Sequence, residues 1–213
     1  MDTFSPDVRT LDLRDLDRRA LETAGHLITR VRPEHLAAPT PCTAWNLGEL
    51  LRHMVSENHG FAAAAADRST DRSAWDRGEL GTDPYRAYQT SAAAVTAAFA
   101  AGDAYDRRVE VREFGVFRGR TAMAMHFVDV LVHGWDIAAS IGAPYPLDEE
   151  AAAGALAIAA GWPDVPGFRG PGAPFGARVP VRAGASATER LLGLLGRSPA
   201  WAPPSAPSSA PAC

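Results

Sequence analysis

Apolar residues recur every three or four positions through most of this chain and every second position only briefly. Leu16, Ala20, Ala24, Leu27, Ile28 and Val31 mark one amphipathic helix over residues 15–31, and Pro33 stops it. After a connector, Asn46 is a good helix N-cap with Glu49 three positions on, the spacing of a capping box, so a second helix runs over about 47–66. Residues 67–83 are polar and rich in turn formers and read as a loop. Pro84 suits a first helical turn, and an alanine-rich third helix follows over 85–101. Val109 and Val111 then alternate with charged residues, and Phe114-Gly115 marks a turn before Val116 and Phe117, which predicts a short hairpin or extended crossover. Residues 121–141 return to a long, mostly apolar helix, expected to be the most buried of the four.

Beyond it the pattern predicts smaller elements. A helix begins near Leu147, a Gly/Pro-rich loop follows, and residues 178–183 read as a short extended piece. A last helix opens on the capping pattern Ser186-x-x-Glu189. Residues 202–213 are a disordered tail by composition. No fixed-period repeat is visible. The expected fold is mainly α: a four-helix bundle over residues 1–163, a small C-terminal α+β extension over 164–201, and the tail.

Composition narrows the function classes. With 46% hydrophobic and 22% charged residues over 213 positions, the chain reads as an ordinary globular protein with a sizeable core. Its net charge is −4, it has no lysine, and its arginines are scattered, so no basic stripe exists to neutralise phosphates and nucleic acid is excluded as a partner. The charged N-terminal stretch carries no signal-peptide core, and no run approaches the roughly 20 apolar residues a membrane span needs. A cytoplasmic location, no membrane partner, and a monomer or homodimer are therefore expected. Cys42 and Cys213 lie far apart and read as free thiols; Cys42, with no base at a recognisable spacing, reads as a small buried anchor rather than a nucleophile.

The candidate chemistry lies on two helices. His53 and Glu57, four apart, fall within about 40° on one helical face, whereas His59 points elsewhere. His126, Asp129 and His133 fall within roughly 60° on one stripe of the fourth helix. Met123, Met125, Phe127, Val128, Val130, Leu131 and Val132 surround that stripe, so its polar groups must be paired, hydrogen-bonded or metal-bound. Three ligands from facing helices, His53 with Asp129 and His133, would leave a coordination position open, as catalytic zinc sites do. Plainer readings stand beside this one. His53 can be a boundary histidine, and Asp129 can pair with Arg52 or Arg120. His126 is the reserve ligand if Asp129 faces away, and His126 and Glu57 otherwise border the pocket. His26, His35 and His59 read as surface or boundary residues.

The stretches "PTPCTAWNLGELLRHMVSEN", "DVLVHGWDIAASIG" and "ATERLLGLLGRSPAW" together resemble the actinobacterial metal-binding proteins related to mycothiol-dependent maleylpyruvate isomerase, in the DinB-like superfamily. The resemblance spans most of the chain. It implies an up-down-down-up DinB-like four-helix bundle holding one divalent metal through three side chains, which fall here on His53, Asp129 and His133. The isomerase carries glutamate, and many relatives histidine, where this chain has Asp129. The metal expected is zinc, with nickel or iron as alternatives, and mycothiol is the candidate thiol.

Together these readings point to a metal-dependent thiol S-transferase or thiol-assisted isomerase acting on a small electrophile. Glu57 or His126 would accept a proton, and Arg52 and Arg86 would anchor a carboxylated substrate or cofactor. A non-catalytic metal- or small-ligand-binding bundle is the alternative and predicts a sealed or filled site. A purely structural bundle predicts no metal at all.

Overall fold

The computed structural model of the chain describes residues 7–66, 72–145, 148–170 and 173–204. Helix α1 (Leu13–Ile28) starts where the Asp12 side chain accepts the Asp15 N–H, and it ends three residues before the apolar period does. At that end the Thr29 hydroxyl takes the His26 carbonyl, and Arg30 and Val31 donate to Leu27 and Ile28 in tighter turns, so local hydrogen bonds unwind the helix ahead of Pro33. Helix α2 (Leu47–Ala65) has the expected capping box, in which Asn46 accepts from the Glu49 N–H and Glu49 accepts from the Asn46 N–H. Asp83 caps α3 (Pro84–Phe99) behind its first-turn proline.

Strands β1 (Arg108–Val111) and β2 (Gly115–Arg118) pair antiparallel, with Val111 opposite Gly115. The hairpin feeds α4 (Gly119–Ser140), which is buried on most sides. The Ala-rich α5 (Glu149–Ala159) packs on α4 and on α6 (Ala187–Leu194), the latter opening on the Ser186/Glu189 capping box.

Hydrogen-bond pairs fix the helix directions. Leu11–Arg120 and Asp17–His126 share one sequence offset of 109 residues, so α1 and α4 run parallel. The offset between α2 and α4 falls from 76 at His53–Asp129 to 68 at Asn58–His126, so these two run antiparallel. Arg14 reaches the Phe99 carbonyl while Tyr88 donates to the Leu21 carbonyl, so α3 opposes α1. The result is up-down-down-up, a mainly helical DinB-like bundle with a small C-terminal extension. Strand character in that extension is limited to isolated bridges at Arg169, and residues 178–183 join no sheet among the described residues. The expected tail falls largely on residues 205–213, outside the described ones.

The loop after α2 is more structured than its composition predicts. Residues Arg72–Asp76 form a 3-10 turn that buries Trp75 against α2. Gly60 makes this approach possible: a Cβ there would lie 2.0 Å from the Trp75 ring. As a consequence α2 is covered nearly all round, like α4, by this turn, the hairpin, α3 and α4.

Candidate metal centre

Antiparallel packing of α2 on α4 sets His53 opposite the Asp129/His133 turn. His53 Nε2 lies 3.5 Å from Asp129 Oδ1, and His133 Nε2 lies 3.4 Å from the same oxygen. One ligand atom from each of these residues falls within 4.8 Å of the others, the only such His/Cys/Asp/Glu group among the described residues. The two rings meet edge to face at 5.0 Å. Trp45 stacks on His53 at 4.5 Å and leans over His133 at 5.9 Å, walling one side. Its position is set by a compact turn in which the Trp45 N–H donates to the Cys42 carbonyl. The Thr40 hydroxyl lies 2.8 and 2.9 Å from the Cys42 and Trp45 carbonyls. Cys42, half-buried, thus serves this turn through its backbone.

Each histidine has a carboxylate behind it, and each carboxylate has an arginine from outside the four bundle helices. Asp136 Oδ2 is 2.9 Å from His133 Nδ1, and Arg197 lays its fork on Asp136, with Nη2 at 3.0 Å and Nε at 3.4 Å. Such a carboxylate fixes which imidazole nitrogen carries the proton and leaves Nε2 free to bind. On the other side Glu57 Oε1 stands 3.7 Å from His53 Nδ1 and contacts Arg112 Nη2. Gly134 of the His-Gly-Trp-Asp run is required by Tyr145, whose hydroxyl would lie 2.8 Å from a Cβ there and donates to the Leu131 carbonyl.

The electrostatics of the cluster follow from this crowding. Burial alone would raise the Asp129 carboxyl, but the His133 and His53 imidazoles hold it well below the usual carboxylate range. Burial would lower His133, but Asp129 and Asp136 together push it up to about 10. Asp136 is held low against burial by Arg197 and His133. Burial pushes Glu57 up, against the pull of His53 and Arg112. A cation binding to these ligand atoms would displace the His133 proton.

Two further observations bear on whether a metal fits. Asp129 Oδ2 is buried and has no hydrogen-bond partner, an arrangement that costs free energy unless a ligand satisfies it. The donor set, two imidazole nitrogens and one carboxylate, is that of three-ligand zinc sites with a position left open.

His126 does not take the place expected for it. It is fully buried, with Nδ1 2.6 Å from Asp17 Oδ1 and Nε2 2.9 Å from Asn58 Oδ1. Asn58 in turn donates to Ser91, which donates to the Tyr88 carbonyl. Both ring nitrogens face acceptors, so His126 is an imidazolium paired with Asp17, tying α1, α2, α3 and α4 together. Neither a reserve ligand nor a pocket proton acceptor fits a ring whose two nitrogens are both engaged. Arg52 is exposed, its guanidinium beside Gly48 of its own helix, and Arg86 is exposed on the first turn of α3; neither joins the cluster. Sequence reasoning passed over Asp136, Arg197 and Arg112. Asp136 had a legible signal, since it lies three residues after His133 on the same helix, whereas the two arginines reach the site through the tertiary fold.

The chain is similar to known proteins at the levels of family, sequence and fold. A family model described as the mycothiol maleylpyruvate isomerase N-terminal domain matches residues 18–138, which include all three cluster residues. Two uncharacterized proteins of Mycobacterium tuberculosis, from strains CDC 1551 / Oshkosh and ATCC 25618 / H37Rv, are each 32% identical over 181 residues, 85% of this chain and 95% of theirs. A crystal structure of the mycothiol-dependent maleylpyruvate isomerase superposes with a TM-score of 0.58 at 15% identity, over 73% of this chain and 70% of that one. At that identity the likeness concerns the fold.

Proposed function

The chain belongs to the family of the mycothiol maleylpyruvate isomerase N-terminal domain, and from that premise we propose that it is a divalent-metal-dependent enzyme of the thiol S-transferase or thiol-assisted isomerase type, acting on a small electrophile. The observation that carries this reading is the convergence of His53 Nε2, His133 Nε2 and Asp129 Oδ1 around an Asp129 carboxylate whose second oxygen has no partner. Zinc matches the donor set best, and mycothiol is the thiol that the family description names.

His53, Asp129 and His133 would hold a divalent cation, which would supply the charge that lowers the pKa of a thiol toward neutrality. The chain does the rest. His53, His133 and Asp129 supply the three donor atoms, and Asp136 keeps a proton on His133 Nδ1 so that Nε2 faces inward. Trp45 shields one side from water and offers an apolar face to a substrate.

Access favours catalysis over storage. The His53 and Asp129 side chains keep 20% and 28% of their surface exposed, so the cluster opens to solvent rather than lying sealed as a non-catalytic metal store requires. The test is to incubate untagged protein with mycothiol and either maleylpyruvate or chlorodinitrobenzene, with and without a chelator. Turnover that the chelator removes and zinc restores supports the proposal. A metal-loaded protein inert toward thiol and electrophile alike would favour the binding bundle instead.

A further inference from the structure

The tip of the β1–β2 hairpin carries an arrangement that the fold alone does not require. Arg112 is the only described non-glycine residue at positive φ, +42°, where glycine or asparagine is the ordinary choice. Its carbonyl accepts from Arg72 Nη2 at 3.5 Å. Its guanidinium lies over the Trp75 ring at 5.1 Å and donates to the Trp75 carbonyl at 3.1 Å. So held, Arg112 Nη2 contacts Glu57 Oε1, and the buried Glu57 stands 3.7 Å from His53 Nδ1. An isolated carboxylate buried on α2 is costly, and the hairpin supplies the cation that makes it tolerable. The order arginine, carboxylate, histidine repeats that of Arg197, Asp136 and His133, where the carboxylate is hydrogen-bonded to its histidine at 2.9 Å; the 3.7 Å between Glu57 and His53 is a looser ion-pair contact.

The geometry points to Arg112 and Glu57 as positioning residues for His53: Arg112 fixes the Glu57 carboxylate, Glu57 holds the proton on His53 Nδ1, and His53 Nε2 is thereby presented to the metal. This rests on the metal reading above. It explains why a side chain as large as arginine occupies a backbone position suited to glycine, a choice that a purely structural turn would not favour.

The test uses cobalt(II) as the probe on the full-length chain, with affinity measured by chelator competition, coordination by the visible absorption spectrum, and folding by thermal unfolding. Glu57→Gln is expected to weaken cobalt binding about 10- to 100-fold, as loss of a carboxylate behind a ligating histidine does, and to shift the visible bands. Arg112→Gln should do the same to a smaller degree, and Arg112→Lys should recover most of the loss. Arg112→Gly separates the roles, because it relieves the backbone while removing the guanidinium. Loss of the guanidinium beside buried Glu57 costs stability, so the readout is cobalt affinity in protein that still unfolds in one cooperative transition: weakened binding there supports positioning, and a purely structural Arg112 would leave cobalt affinity untouched. The double variant Glu57→Gln/Arg112→Gln should bind no more weakly than Glu57→Gln alone, since both act through one path. Wild-type affinity and spectrum in Glu57→Gln and Arg112→Gly would overturn this inference while leaving the metal centre intact. A wild-type chain that took up no cobalt would instead sink the metal reading, and this inference with it.

Discussion

His126 and His133 lie seven residues apart on α4, about 10 Å along its axis, both buried and both against an aspartate. Around His126 every polar atom is answered: Asp17 and Asn58 take its two nitrogens, Ser91 takes the Asn58 amide, and the Tyr88 carbonyl takes the Ser91 hydroxyl. Around His133 the count does not close. Two imidazoles share Asp129 Oδ1 at 3.4 and 3.5 Å, and Asp129 Oδ2 has no partner. A satisfied buried network rigidifies a fold, whereas an unsatisfied buried carboxylate oxygen beside two imidazoles is one that a cation would satisfy. On one helix the same residue types thus serve architecture at one level and form the proposed metal centre two turns away.

The largest effect that would break this contrast is a double dissociation. His53→Ala and His133→Ala should each abolish metal binding while leaving the bundle folded. His126→Ala should keep the metal but cost about 3–5 kcal/mol of stability, because it leaves Asp17 buried and unpaired. Metal content and denaturant unfolding of the three variants check this. Metal loss in a well-folded His126→Ala would erase the distinction. Asp136→Asn should come next, weakening metal binding about 10- to 100-fold without removing it, since it disturbs the proton on His133 Nδ1 rather than a ligand; chelator competition measures it.

A smaller effect sharpens the His126 side. Burial would lower its pKa, but Asp17 raises it above the ordinary histidine value. A pKa raised by folding contributes stability fully below the unfolded value of about 6.5, and that contribution is lost as pH rises through the folded value. Wild-type protein should therefore lose stability as pH climbs from 6 through and beyond neutrality, and His126→Gln should lack that part of the slope. A His126 ring seen by NMR to titrate at or below 6.5 would contradict the pairing. The smallest expected change is Ser91→Ala, about 1 kcal/mol for one buried hydrogen-bond partner of Asn58, read as a small shift in the unfolding midpoint with metal content unchanged.

The helices were legible because their signals are local: the Asn46/Glu49 and Ser186/Glu189 boxes, Pro84, and the apolar periods all appear in the structure. The cluster was partly legible. Spacing puts His126, Asp129 and His133 on one stripe, but angle on a helical wheel says nothing about height along the axis or about what faces each level. Asn58 meets His126 and His53 meets Asp129 only because α2 runs antiparallel to α4 at one register. Arg112 and Arg197 were illegible for the same reason at longer range. One reaches in from a hairpin tip at a backbone angle that sequence does not announce, the other from beyond α6 across 61 residues. Arg52 and Arg86, expected to anchor a carboxylated substrate or cofactor near the site, are exposed and join none of the cluster's contacts.

Metal content tests most directly whether a cation satisfies the unpartnered Asp129 oxygen. Protein purified without a histidine tag, dialysed against trace zinc and analysed by mass spectrometry, should carry one divalent ion per chain, and His53→Ala and His133→Ala should carry none. A wild-type chain that stays folded yet binds no divalent ion, or both variants retaining full occupancy, would contradict it.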